Sequence, residues 1–320
     1  MEGLDLTRTV PVMSVSVMGV LLVLLPLIQI LVYLFIRHAY PQGYKGVILG
    51  MASYFIICNV LLSLVYLAEQ WIGAQFLQGQ TNQAVVTAYK NIGQVLSLLI
   101  ECTILVECME FSYRKFSYQP GSSTYGNAMA FALGFSLVET IQWVASMLSN
   151  WIMSIGINNM GLEAYNESLT AEEMESFMAS IDKLLSYGPL YYILLFVERL
   201  LFAAFIFAII SMVQLISRKL LQRTFMLAII GIYFCYYLPA LLRNSGVISS
   251  DVLTIAVSLI ITILVDIFSW KLMKNTTPEE ADELAALKAG GIFDVILRFK
   301  KKKKTEQPDP KIRQNAKMGK

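Results

Sequence analysis

Histidine is nearly missing from this chain: His38 is the single one in 320 residues. A hydrolytic zinc site needs three protein ligands, mostly imidazole or thiolate, and one position open for water, so the usual zinc chemistry lacks its donors. The cysteines do not supply them. Cys58, Cys102, Cys108 and Cys235 all fall inside apolar runs without CxxC spacing, which argues against a disulfide framework and a thiolate metal site. They read as small apolar residues. Carboxylates alone would favour a harder ion, held weakly. Serine-type catalysis lacks its usual base, leaving a Ser/Lys pair as the open arrangement. His38, beside Arg37 at the mouth of an apolar run, reads as a topology residue and not as a ligand. Charge is scarce too: 15% charged residues against 56% hydrophobic ones, with a mean hydropathy of +0.60, exclude an ordinary soluble fold.

What is present is a series of long apolar runs. A hydrocarbon core of about 30 Å needs roughly 20 apolar residues at ~1.5 Å each. Seven stretches qualify, near 10–36, 46–68, 91–111, 127–151, 188–217, 224–243 and 251–273. The first has only Arg8 ahead of it, is too long for a signal-peptide core and lacks a small-residue cleavage pattern, so it is expected to stay as an anchor. Pro26 and Pro239 lie within spans and read as kinks. The expected fold is therefore an all-α, polytopic helical bundle: a short outer stretch 1–9, a membrane domain 10–273 and a basic tail 274–320.

Orientation follows from the basic residues, which short cytoplasmic loops retain. Arg37 and Lys45, Arg114 and Lys115, then Arg218, Lys219 and Arg223 follow the first, third and fifth spans, and the tail is richest of all. The other side holds only Arg8, Lys90, Lys183 and Arg243. This predicts an outer N-terminus and a cytosolic C-terminus, in a cell membrane of the bacterial plasma-membrane type. A phosphatase reporter fused after Lys320 should be inactive and one inserted near Asn166 active; reversed or equal activities would remove the orientation.

Between the fourth and fifth spans lies an acidic outer loop. Thr170 and Glu173 form a capping box, and Met174, Phe177, Met178, Ile181 and Leu185 recur at helical spacing, predicting an amphipathic helix over about 170–186 on the bilayer surface or the bundle. In the tail, Thr277-Pro278-Glu279-Glu280 starts a short helix that Gly290-Gly291 stops. Apolar residues from Ile292 then run into Lys300, Lys301, Lys302, Lys303 and Lys304, a pairing suited to anionic inner-leaflet lipids. The lipid bilayer and another membrane protein or peptide are the expected partners; nucleic acid is not.

Ionisable groups in hydrocarbon cost at least ~2.5 kcal/mol each on insertion scales, so they face a bundle interior and take partners. Here they are Glu101, Glu107, Glu139, Glu198, Arg199 and Asp266, with Glu110 and Arg114 at the border of the third span. Glu107, Glu110 and Arg114 share a helix face, where Glu110 can pair with Arg114. Glu198 and Arg199 point about 100° apart, so Arg199 is expected to pair with a carboxylate on another helix, such as Glu139 or Glu107. These groups either fix helix packing or form a substrate or metal site.

Three segments in order carry a resemblance. Glu107-Cys108-Met109-Glu110-Phe111-Ser112-Tyr113-Arg114 resembles the EExxR helix of the YhfC-type intramembrane metalloproteases, related to the PrsW and CAAX-protease/bacteriocin-processing group. Ala132-Leu133-Gly134-Phe135-Ser136-Leu137-Val138-Glu139-Thr140-Ile141 is similar to that family's glycine-rich GHGxxE helix, and Val197-Glu198-Arg199 to its ER helix. The resemblance implies a seven-span fold of the same order and orientation, with glutamates and two histidines serving metal and water. The chain departs from it at those positions: Phe111 stands for the second glutamate, Phe135 for the first histidine, and Ile206 or Phe207 for the second. Glu107, Glu110, Arg114, Glu139, Glu198 and Arg199 are then vestigial-site candidates, with no metal or cofactor expected. The implied role is non-catalytic binding of a hydrophobic helix, peptide or lipid in a regulatory, scaffolding or immunity-like setting. A proton- or cation-coupled transporter using Glu101, Glu139 and Asp266 is one alternative. An active metalloprotease with an unconventional zinc site is the other.

Overall fold

Long apolar runs satisfy their backbone groups internally by coiling, and the chain is helical almost wherever it is described. The structure is a computed structural model that describes residues 7–39, 43–78, 82–117, 124–166, 171–244 and 250–277. Among these there is no strand. Helices α1 (Val12–Ala39), α2 (Gly43–Tyr54), α3 (Leu62–Leu77), α4 (Gln83–Ser112), α5 (Thr124–Asn166), α6 (Ala171–Ser186), α7 (Pro189–Ser217), α8 (Phe225–Asn244) and α9 (Asp251–Thr276) follow one another. A π-helical segment, Phe55–Leu61, joins α2 to α3 into one continuous crossing, and a second, Tyr113–Ser117, extends α4.

Seven of the resulting helices are long and apolar enough to cross a membrane: Val12–Arg37, Tyr44–Leu77, Ile92–Lys115, Gly126–Leu162, Pro189–Ser217, Phe225–Arg243 and Asp251–Thr276. The chain is thus a multi-pass integral membrane protein. Their positions follow the hydropathy runs, with two extensions: the second continues past 68 to Leu77 and the fourth past 151 to Leu162. Pro26 and Pro239 both lie inside continuous helices. Pro189 occupies the first turn of α7, where its missing N–H is no loss, and Ser250 caps α9 by accepting from the Leu253 amide at 3.3 Å.

The expected amphipathic helix is α6. Its Met174, Met178, Ile181 and Leu185 are buried against Met18 of α1 and Ile157 and Leu162 of α5, so its apolar face is on the bundle. Arg8 adds an ion pair to Asp182 at 2.8 Å. The Asn158 side chain clamps the backbone of Val10 from both sides, accepting from its N–H at 2.8 Å and donating to its carbonyl at 2.9 Å. The capping Thr170, the tail helix and Lys300 to Lys304 lie outside the described residues, as does the side chain of His38.

The crossing of α2 and α5 is unusually close. Gly46 and Gly50 on α2 face Ala130 and Gly134 on α5, both pairs at a spacing of four, which lines small residues along one helix face. A Cβ on Gly134 would collide with the Val47 carbonyl, and one on Gly50 with the backbone of Phe131. Without a hydrophobic driving force between helices in lipid, such backbone proximity supplies van der Waals contact instead. It also brings the Phe135 ring edge-on to Tyr54, with centroids 5.0 Å apart.

Candidate functional site

The contact between Phe135 and Tyr54 forms one wall of a chamber of about 260 Å³ inside the bundle. The second crossing contributes Tyr54, Cys58, Asn59 and Tyr66; α4 contributes Glu101 and Cys102; α5 contributes Phe135 and Glu139; α7 and α8 close it with Phe202, Tyr233 and Tyr237. The π segment Phe55–Leu61 carries Cys58 and Asn59, and its extra residue per turn changes which side chains face inward. The chamber is far more polar than the core around it. Two carboxylates, an amide and four phenols surround a space well away from both helix ends: by helical rise, Glu139 lies ~20 Å along its helix from Gly126.

Glu139 is held by Arg199 of α7 in a direct ion pair. Between the two carboxylates open to sequence reasoning, the structure selects Glu139. The pairing is incomplete: Glu139 Oε2 and Arg199 Nε are buried and have no hydrogen-bond partner among the described residues. Glu198, the neighbour of Arg199, is half-buried and takes no ion pair there.

The other carboxylate belongs to a chain of polar groups. Ser97 Oγ lies 2.8 Å from Glu69 Oε2 and 3.3 Å from Glu101 Oε1, linking α3 to α4. Glu101 has no cationic partner among the described residues. Glu69 was not an expected site residue, because the drop in hydropathy at Glu69-Gln70 reads as the end of the second span; the structure carries that helix on to Leu77.

The remaining candidates are elsewhere. Glu110 pairs with Arg114 at 3.5 Å, as their spacing predicts, and Glu107 reaches Arg223 at 3.4 Å and not Arg199. From Glu101 to Glu110 the helix rises ~14 Å, and neither Glu107 nor Glu110 lines the chamber. The six vestigial-site candidates therefore occupy two places. Phe111 is 49% exposed on the bundle surface, whereas Phe135 and Ile206 are fully buried in the apolar core. Among the described residues no three His, Cys, Asp or Glu side chains are grouped so as to hold a metal ion. Compared with family models, with curated proteins and with solved structures, the chain matches none.

Proposed function

We propose that the chamber binds a proton or a small cation and that the protein is a proton- or cation-coupled membrane transporter. The observation that carries this reading is that Glu101 and Glu139 line one polar space between the membrane-crossing helices, where Arg199 neutralises only Glu139. A carboxylate without a counter-charge at that depth costs at least ~2.5 kcal/mol, which a proton or a cation at Glu101 would offset. The polar chain offers a route. A hydroxyl carries one hydrogen, so Ser97 can serve both carboxyls only if one of them donates to it. One proton shared along Glu101, Ser97 and Glu69 completes the set.

The test is thermal unfolding of the purified protein titrated with Na⁺, K⁺ and choline at fixed ionic strength. A ligand at a hundred times its Kd stabilises by about 2.7 kcal/mol, so a bound ion gives a saturable upward shift. Glu101→Gln should abolish that shift and Glu107→Gln should keep it. Identical responses of wild type and Glu101→Gln to every ion would sink cation binding at this residue.

A second reading, a non-cleaving relative of the YhfC-type proteases, is favoured by one observation: the Glu139–Arg199 pair joins the two segments that resemble that family's second and third motifs. In that reading Phe135, and Ile206 or Phe207, stand where imidazoles would be, and part of a hydrophobic peptide or lipid enters the chamber. At about 260 Å³ the space takes a side chain or two, not a helix of ~10 Å diameter. Reconstituted protein with transmembrane peptides and added zinc should then show no cleavage. Cleavage lost both to chelator and to Glu110→Gln would revive the active-protease alternative.

A further inference from the structure

Helix α5 separates two cavities of opposite character. Its Phe135 and Glu139 face the polar chamber, while Leu133, Leu137 and Ile141 line a groove of about 560 Å³ shared with α1 and α2. We propose that this groove holds an acyl chain of one anionic phospholipid, whose headgroup phosphate sits between Arg37 and Lys45.

The groove selects an apolar occupant. Its lining is aliphatic apart from Tyr33, Tyr44, Gln29 and Thr140, and Gln29 Nε2 donates to Thr140 Oγ1 at 3.3 Å, so these two polar groups at its floor engage each other. All three of its helices belong to membrane crossings, so the medium that fills it is lipid.

The headgroup is selected by charge at one end. On α1, Ile30 and Tyr33 line the groove and Arg37 continues their row one turn on; on α2, Lys45 lies three residues before Ile48, another lining residue. Helical spacing therefore puts both cations beyond the same end, next to Tyr33 and Tyr44, whose amphipathic rings suit the headgroup level. Arg37 and Lys45 are both exposed and neither has an ion-pair partner among the described residues. Basic pockets between membrane helices recognise phosphate-bearing headgroups in this way. A lipid whose net charge is negative satisfies both cations, and a zwitterionic one brings a positive charge back to them.

The experiment is native mass spectrometry of the full chain in detergent, titrated with phosphatidylglycerol and with phosphatidylcholine of identical acyl chains. Wild type should retain one phosphatidylglycerol in preference to phosphatidylcholine. Arg37→Gln with Lys45→Gln should lose that preference, by about fivefold for each basic residue removed. Ile141→Trp, which narrows the groove from a position already facing lipid, should weaken retention of both lipids. Replacing Lys300 to Lys304 by glutamine should leave the retained lipid in place. Equal retention of the two lipids by wild type would overturn the proposal, as would a preference that survives loss of Arg37 and Lys45 or follows the lysine tail.

Discussion

Arg199→Leu is expected to lower the stability of the folded bundle by about 3 kcal/mol, the low end of the cost of leaving one member of a buried pair without its partner, since both side chains are part-buried. The pair is internal, joining α5 to α7, and the Glu139 carboxylate has no second cation among the described residues. The loss should appear as a reduced folded yield and as unfolding at lower denaturant. Adding Glu139→Leu should recover part of it, because the double variant buries no uncompensated charge, whereas adding Glu198→Gln should recover nothing. A fully stable Arg199→Leu would mean that the guanidinium reaches water and that the pair fixes nothing.

Gly134→Val should destabilise comparably, by about 3 kcal/mol or somewhat more, since overpacking costs ~1–3 kcal/mol even where side chains can yield. Here the obstacle is the backbone of Val47, so relief requires α2 and α5 to separate along the whole crossing. Phe135 and Glu139 would be carried away from Tyr54, and the chamber would open. Gly93 provides the control: a Cβ there meets nothing within 4 Å, and Gly93→Ala should be neutral or slightly stabilising in the same unfolding assay. A Gly134→Val variant as stable as Gly93→Ala would show that the close crossing does not hold the fold together.

These two residues also mark how far the sequence could be read. The seven crossings were legible because lipid imposes length and hydropathy on each helix by itself, and α6 was legible because Met174, Met178, Ile181 and Leu185 repeat at helical spacing. The pair Glu110–Arg114 was legible for the same local reason. Contacts between helices were not. Arg199 announced that it needed a carboxylate, but Glu139 and Glu107 were equally available until packing placed the second of them beside Arg223. Gly134 read as part of a motif, and its close approach to Val47 depends on Gly46 and Gly50, more than eighty residues earlier in the chain. Glu69 is not legible as a site residue because its polarity shortens the apparent span, and its partner, Ser97, is on another helix. The π segment Phe55–Leu61 has no proline or glycine to signal it.

Exchange of a proton or a cation between Glu101 and the chamber, as proposed above, would be read as ion flux in reconstituted vesicles. Vesicles loaded with a pH-sensitive dye and containing the wild-type protein are predicted to dissipate an imposed proton gradient, in the presence of Na⁺ or K⁺, faster than empty vesicles do. Glu101→Gln is predicted to return the rate to that of empty vesicles, while Glu107→Gln, outside the chamber, keeps the wild-type rate. Wild-type flux no faster than in empty vesicles under every ion tested, or undiminished flux through Glu101→Gln, would rule out exchange at Glu101.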